Sequence, residues 1–441
     1  MDPLLVRVHG LGADRQPFAD LGRGVGLGGE AQNGLLGLAQ PRESLALGAQ
    51  GTRQARASAR RPAGRPRRVE CSGVSTLDVV RRRRAVRLAA GLLAAGFLVL
   101  AAGAAPPRRL TDQRGRTFAF AAPARRVVPI AIPLLWHYAF VDRGAAHVVG
   151  ANAVAVAQLR EGMAPRVFPG LAALNTTVTR GGTFTPNVEA LLALHPDAVF
   201  QWADRGDALV DVLDRAGLPA IGVKNTGRES DVETWLRLAG VVAAREARAD
   251  SIVRWMRRGN ARFDALTAAI PARERPRVLV LTEFSRTITA NGPGSYAATA
   301  VERAGGRNVA TADGAVNVEQ VLAWDPEVIL LTAFEARTPA ALMADPVWRH
   351  TAAARARRVY KLPFGVTRWG GYGPESPLLL AWLADLLHPR RVALPLRREM
   401  REAYRTLLGY AATDADLDRA LRLDENRGSA AYALFAGPPA R

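Results

Sequence analysis

Three arginines, each set beside aromatic residues, give this chain its clearest means of holding a ligand. They are Arg205 after Trp202, Arg286 after Phe284, and Arg368 before Trp369 and Tyr372. Each set follows a short apolar run, and Trp136 follows a fourth. Guanidinium groups bind oxygen anions through charge-assisted hydrogen bonds, and aromatic rings supply flat apolar walls. No acidic cluster opposes the three arginines; Glu283 and Glu375 are the nearest acids in sequence. Cations gathered on one cleft repel unless something negative lies between them, so the predicted guest is anionic and partly flat. The run Arg368-Trp369-Gly370-Gly371-Tyr372-Gly373-Pro374 adds glycines that let backbone approach a ligand. The same run also reads as a packing loop that buries Trp369.

These residues can converge only if the apolar runs are strands of parallel sheets, whose carboxyl-terminal edges carry ligand loops. Arg126–Ile132, His147–Gly150, the run opening at Ala198 and Pro219–Val223 read as buried strands, with a helix over Asp207–Ala216. Arg277–Thr282 and Val359–Leu362 begin and end a second such set. Between the two sets, a capping box at Ser230–Glu233 starts a helix that reaches Gly240. A second helical pattern follows over Arg245–Ala268, roughly 36 Å long at 1.5 Å per residue and enough to cross between two lobes. Ser376–Leu387 is a strongly apolar helix, and Arg397–Leu423 carries helical spacing to the tail. The predicted divisions are a first lobe at 108–240, a linking helix at 241–270, a second lobe at 271–390 and a helical tail at 391–441.

A repeat supports two similarly built lobes. NVEALLALHPDAVF at Asn187–Phe200 returns as NVEQVLAWDPEVIL at Asn317–Leu330, with N-V-E-x-x-L-A-x-x-P-(D/E)-x-(V/I) intact. Each copy reads as a short helix, a Pro-acid turn and a buried strand. This doublet resembles the signature of periplasmic solute-binding proteins that feed ABC importers of iron–siderophore complexes, haem and cobalamin, and the resemblance extends over roughly Arg126 to Pro389. It implies a class III fold, α/β with two Rossmann-like lobes of mostly parallel strands joined by one long helix. It also implies a monomer that delivers its ligand to an inner-membrane ABC permease, with Glu189 and Glu319 meeting arginines of that permease. Read from the residues alone, each glutamate serves equally well as a favourable charge at a helix start. Ser376-Pro377 and Trp382-Leu383-Ala384 are similar to the family's final helix. Pro133-Leu134-Leu135-Trp136-His137 departs from the Thr-Glu pair the family often carries after its first strand.

Among ligands of that family, a ferric chelate of siderophore type suits the arginines better than neutral cobalamin, with haem a further alternative. Trp136, Trp202, Arg205, Phe284, Arg286, Arg368, Trp369 and Tyr372 are the predicted ligand residues. No resident cofactor is expected. The six histidines do not supply the lobe-exit pattern of direct metal binding, so the chelator itself is expected to fill the metal's coordination sphere. An α/β enzyme acting on an anionic substrate is the alternative class. Against it, Gly292-Pro293-Gly294-Ser295-Tyr296 lacks the lysine of a phosphate loop, and no Ser-x-Gly elbow follows a strand.

Composition narrows the partners. The net charge is +20, but residues 1–87 hold 16 Arg against 7 Asp or Glu, leaving +11 for the rest. Only Lys224 and Lys361 are lysines, so the charge reflects an arginine-rich composition rather than a nucleic-acid surface. Residues 1–73 lack a sustained apolar period and read as disordered or as an upstream extension, with translation starting near Val74. Arg81–Arg84 and Arg87 precede eighteen apolar residues, Leu88 to Ala105, which end in small side chains before Pro106. That pattern predicts a signal peptide cleaved near Ala105 and export to the periplasm. The same length could just span a bilayer as a retained anchor. The single cysteine, Cys71, lies upstream and leaves no intrachain disulfide.

Overall fold

A short hairpin begins the described chain, which in this computed structural model comprises residues 106–206, 208–284, 287–371 and 373–437. The expected signal segment lies outside the described residues. Strands β1 (Arg108–Thr111) and β2 (Thr117–Phe120) pair antiparallel around Gly115, as the sequence predicts. The Asp112 carboxylate ties the turn by accepting the N–H groups of Arg114 and Arg116, and it fastens the hairpin to the first lobe through Gly222 N–H at 2.9 Å. That lobe holds three parallel strands in the order β3 (Val127–Pro129), β4 (Ala198–Trp202), β5 (Ala220–Val223). The predicted strand at His147–Gly150 is reduced to parallel bridges at Val148 and Gly150.

Around these strands run α1 (Ile132–Asp142), α2 (Val188–Ala193) and α3 (Ala208–Arg215), then α4 (Glu229–Ala243) and the long α5 (Glu246–Ala268). Helix α1 was not legible, because it is apolar on every side and carries no 3.6-residue alternation. Pro133 does not end a strand but sits in the first turn of this helix, where a missing N–H costs nothing. Gly240 does not end α4. It lies inside the helix, where a side chain would strike Ala249 of α5, and Ala244 at φ 53° makes the turn.

The second lobe is a six-stranded mixed sheet. Its strands are β6 (Arg277–Glu283), β7 (Thr289–Ala290), β8 (Arg307–Asn308), β9 (Gly314–Ala315), β10 (Val328–Leu331) and β11 (Val359–Lys361). The order is β11-β10-β6-β7-β9, with β8 parallel beside β6. β11, β10 and β6 run parallel and end on one edge. Helices α6 (Tyr296–Arg303) and α7 (Val318–Trp324) precede α8 (Ser376–Leu387), in which all twelve residues are buried. The tail supplies α9 (Leu396–Leu408) and α10 (Asp414–Ala420), and Met400, Tyr404, Leu407 and Leu417 enter the same core as α5 and α8. None of the described helices is long and apolar enough to cross a membrane.

The repeat does the same physical work twice. Asn187 and Asn317 cap α2 and α7 by accepting the N–H groups of Ala190 and Gln320. After each proline, the acid reaches to the neighbouring parallel strand. Asp197 accepts the N–H groups of Arg125 and Arg126 at 2.7 and 3.0 Å, and Glu327 accepts that of Arg277 at 2.9 Å. In return Asp197 N–H donates to Arg126 O and Glu327 N–H to Arg277 O, each at 2.8 Å. The Pro-acid pair therefore sets the register between β4 and β3 in one lobe and between β10 and β6 in the other.

The lobes meet directly. Met163 N–H donates to Gly365 O at 2.8 Å, and a Cβ on Gly162 would overlap that carbonyl. Arg166 pairs with Asp416 at 2.6 Å and Arg422 with Glu161 at 2.7 Å, joining the first lobe to the tail. Gly162→Ala should therefore cost about 1–3 kcal/mol in denaturant unfolding, the usual penalty of overpacking. Gly144→Ala, at a position with open space around it, should stay within about 0.5 kcal/mol of wild type.

Candidate ligand-binding cleft

Arg368 sits in the loop that leaves the carboxyl end of β11, the position where parallel sheets hold ligands. Its guanidinium lies 4.2 Å from the centre of the Phe334 ring and 5.9 Å from that of Trp136. The residue keeps some solvent exposure, but Nη1 is buried and has no hydrogen-bond partner among the described residues. Burial pulls its pKa down to about 10, with Glu161 opposing, so the group remains a cation at neutral pH. Two aromatic faces attract that charge but do not satisfy its N–H groups.

Two of the expected residues thus meet across the lobes, Trp136 from α1 and Arg368 from the β11 loop. Trp369, next in the chain, is only 1 % exposed and packs in the main core, so it anchors the loop rather than lining an open wall. On the first lobe, β4 ends in Trp202, which stands edge-on to Phe184 and Trp235. Arg205 covers Trp202 and Phe184, 4.9 and 5.1 Å from their ring centres, and is exposed. Gln201 stiffens this exit by donating to Phe184 O and accepting Trp202 N–H, both at 2.8 Å. The indole N–H groups of Trp202 and Trp369 are also buried without partners among the described residues.

Phe284 is placed differently from the expectation. Its ring belongs to the outer core of the second lobe, edge-on to Trp348 at 5.7 Å and beneath Arg337. Its N–H is taken by Glu335 at 2.7 Å. Arg286 and Tyr372 lie outside the described residues. Phe334 was missed, although the rule applied to β4, reading the residues just beyond the strand, finds it when applied to β10. Phe184 lies in a turn with no pattern of its own. Among the described residues no cluster of three or more His, Cys, Asp or Glu could hold a metal ion.

Glu189 and Glu319 are exposed in the first turns of α2 and α7, and neither forms an ion pair among the described residues. The repeat extends to its apolar residues. Leu191 and Val321 are buried, whereas Leu192 and Leu322, one position on, are 44 % and 40 % exposed.

Residues 145–365, half of the chain, match the model of the periplasmic binding protein family, and the chain belongs to that family. It is similar to the molybdate-binding protein MolA of Haemophilus influenzae, 24% identical over 229 residues. That alignment covers 46% of this chain and 64% of MolA, less than two thirds of the relative. The fold matches that of a periplasmic solute-binding protein from Veillonella parvula at TM-score 0.66 and 26% identity, covering 72% of this chain and 98% of that one. MolA bound to molybdate matches at TM-score 0.61 and 21% identity, covering 69% and 99%. The architecture is accordingly that of the class III binding proteins, two α/β lobes on one long helix.

An unpaired buried cation weakens the empty protein. Arg368→Met should raise the stability of ligand-free protein by about 1–3 kcal/mol, because it removes a buried unsatisfied donor and keeps the volume. Denaturant unfolding of both proteins after exhaustive dialysis checks this.

Proposed function

We propose that this protein is the periplasmic, monomeric solute-binding component of an ABC importer, and that its ligand is an anionic metal–oxygen species. The observation that carries the reading is Arg368 Nη1, a buried cationic donor over two aromatic faces with no acceptor among the described residues. An oxygen anion in the cleft supplies the missing acceptor, and desolvated charge-assisted hydrogen bonds are among the strong ones. The first reading is a ferric chelate whose outer carboxylate, catecholate or hydroxamate oxygens face the arginines. The exposed ring of Phe334, with Arg205 at the β4 exit, favours it. The likeness to MolA favours a second reading, a compact oxyanion such as molybdate. In both, the metal is enclosed by oxygens that belong to the ligand, and the protein recognises charge.

Calorimetry of dialysed protein against ferric citrate, a ferric catecholate, molybdate, haem, cobalamin and bare Fe³⁺ tests this. Binding is expected for at least one of the anionic species and not for bare Fe³⁺. Arg368→Ala should weaken it by about 1.5–3 kcal/mol, the scale of one hydrogen bond to a charged group. Tight binding of cobalamin with no response to any anion overturns the reading.

Delivery rests on the duplicated surface. Glu189 and Glu319 stand on matched helices of the two lobes, so a two-fold permease offering one cation per half can engage both. Glu189→Arg combined with Glu319→Arg is expected to leave ligand affinity within about twofold of wild type and to abolish uptake by cells. Preserved uptake would return both glutamates to the role of helix-start charges.

A further inference from the structure

The loop that carries Arg368 is tied to the tail, to the first lobe and to one buried side chain. Phe364 N–H donates to Ala420 O of the tail at 2.7 Å, and Gly365 O accepts Met163 N–H of the first lobe. Phe364 and Arg368 face each other in an antiparallel bridge, and Trp369 N–H closes on Pro363 O. The N–H groups of Val366 and Thr367, which lie between Phe364 and Arg368, both go to one side chain. Glu375 Oε1 accepts Val366 N–H at 3.1 Å, and Oε2 accepts Thr367 N–H and its hydroxyl, each at 2.6 Å. Tyr404 of α9 donates its hydroxyl to Oε1 at 2.7 Å. Glu375 is 1 % exposed and Tyr404 is fully buried. No cation pairs with Glu375 among the described residues, so only neutral donors hold it.

A buried carboxylate is a costly way to close a loop unless its two acceptors are both needed. Here two successive backbone N–H groups point at two different oxygens. A carboxylate satisfies both, whereas an amide must turn its NH₂ toward one of them. Gly365 has no side chain for the same reason: a Cβ there would overlap Glu375 Oε1 and stand 2.5 Å from the Tyr404 hydroxyl. Glu375 therefore fixes the backbone of Val366 and Thr367, the two residues that lead directly into Arg368.

We infer that Glu375 is the positioning residue of the anion site, holding Arg368 under Phe334 and Trp136, and that the C-terminal segment keeps it there through Tyr404. The inference rests on the reading of Arg368 as the anion-binding cation. It makes residues 396–437 a working part of the site, although they lie beyond the span that matches the family. The carboxylate touches no ligand; it acts by fixing where the guanidinium stands.

The test has two arms. In ligand-free protein, hydrogen–deuterium exchange of Val366 and Thr367 should speed up at least tenfold in Glu375→Gln and several-fold in Tyr404→Phe, with β6 amides unchanged. Should Glu375→Gln fail to fold, Tyr404→Phe, which loses one donor and keeps the ring, carries the same arm. Exchange at 366–367 that matches wild type overturns the inference. In the second arm, molybdate and ferric citrate are titrated into wild type, Glu375→Gln, Arg368→Ala and the double variant. Glu375→Gln should weaken binding at least tenfold in wild type and less than twofold once Arg368 is gone. Equal losses in both backgrounds would make Glu375 a stability residue only and overturn its positioning role. If wild type takes up neither probe, the reading of Arg368 fails while the exchange arm still decides whether Glu375 holds the loop.

Discussion

A guanidinium whose buried Nη1 has no acceptor among the described residues is the constraint on which this account of the molecule depends. Removing a cation from water costs several kcal/mol even after the protein relaxes, and that cost is offset only by a partner of opposite sign. The described protein supplies none for Arg368 Nη1. Phe334 and Trp136 offset part of the charge through their ring faces, and Glu161 contributes at longer range. What remains is a free-energy deficit in the empty protein that the proposed anionic ligand would remove. A binding protein gains selectivity this way, since a neutral guest leaves the donor unsatisfied.

The scaffold beneath this site is specified by short-range chemistry. In each lobe a proline stops a helix, and the acid after it captures N–H groups at the start of the adjacent parallel strand. Register follows from that capture, and register fixes which residues leave the sheet at its carboxyl edge. Trp202 in the first lobe and Phe334 in the second lie at or just past the end of the strand each capture positions. The long α5 and the wholly buried α8 then pack as one core with the tail. The tail's ion pairs to Glu161 and Arg166 tie the first lobe to the same core. The arginines of this basic chain thus work largely inside it, fastening one element to the next.

How much of this was legible follows from where the signal lies. The two lobes and the linking helix could be read because repeat, Pro-acid turns and β-branched runs are local patterns. Helix α1 was hidden because its side chains are buried all round, so composition could not separate it from a strand. Trp136 lies near Arg368, but in the first half of that helix and not at a strand exit. Phe284 was misplaced because the residue order gives no warning that Glu335 takes its N–H, fifty-one positions away. Glu375 was visible only as an acid near the cleft. Its role depends on two backbone amides and a tail tyrosine that only the fold brings together. Local chemistry is written in the sequence, whereas long-range satisfaction of buried polar groups is not.

What Arg368 Nη1 meets when a ligand is bound decides whether it is the anion-binding cation. The direct measurement is a crystal structure of protein purified from the periplasm with its native ligand still bound. It should show an anionic oxygen of the ligand within about 2.7–2.9 Å of Arg368 Nη1, the range of a charge-assisted bond, with the metal held by the ligand's own oxygens. A ligand seated in the cleft while Nη1 remains without an acceptor, or a metal bound directly by protein side chains, would contradict it.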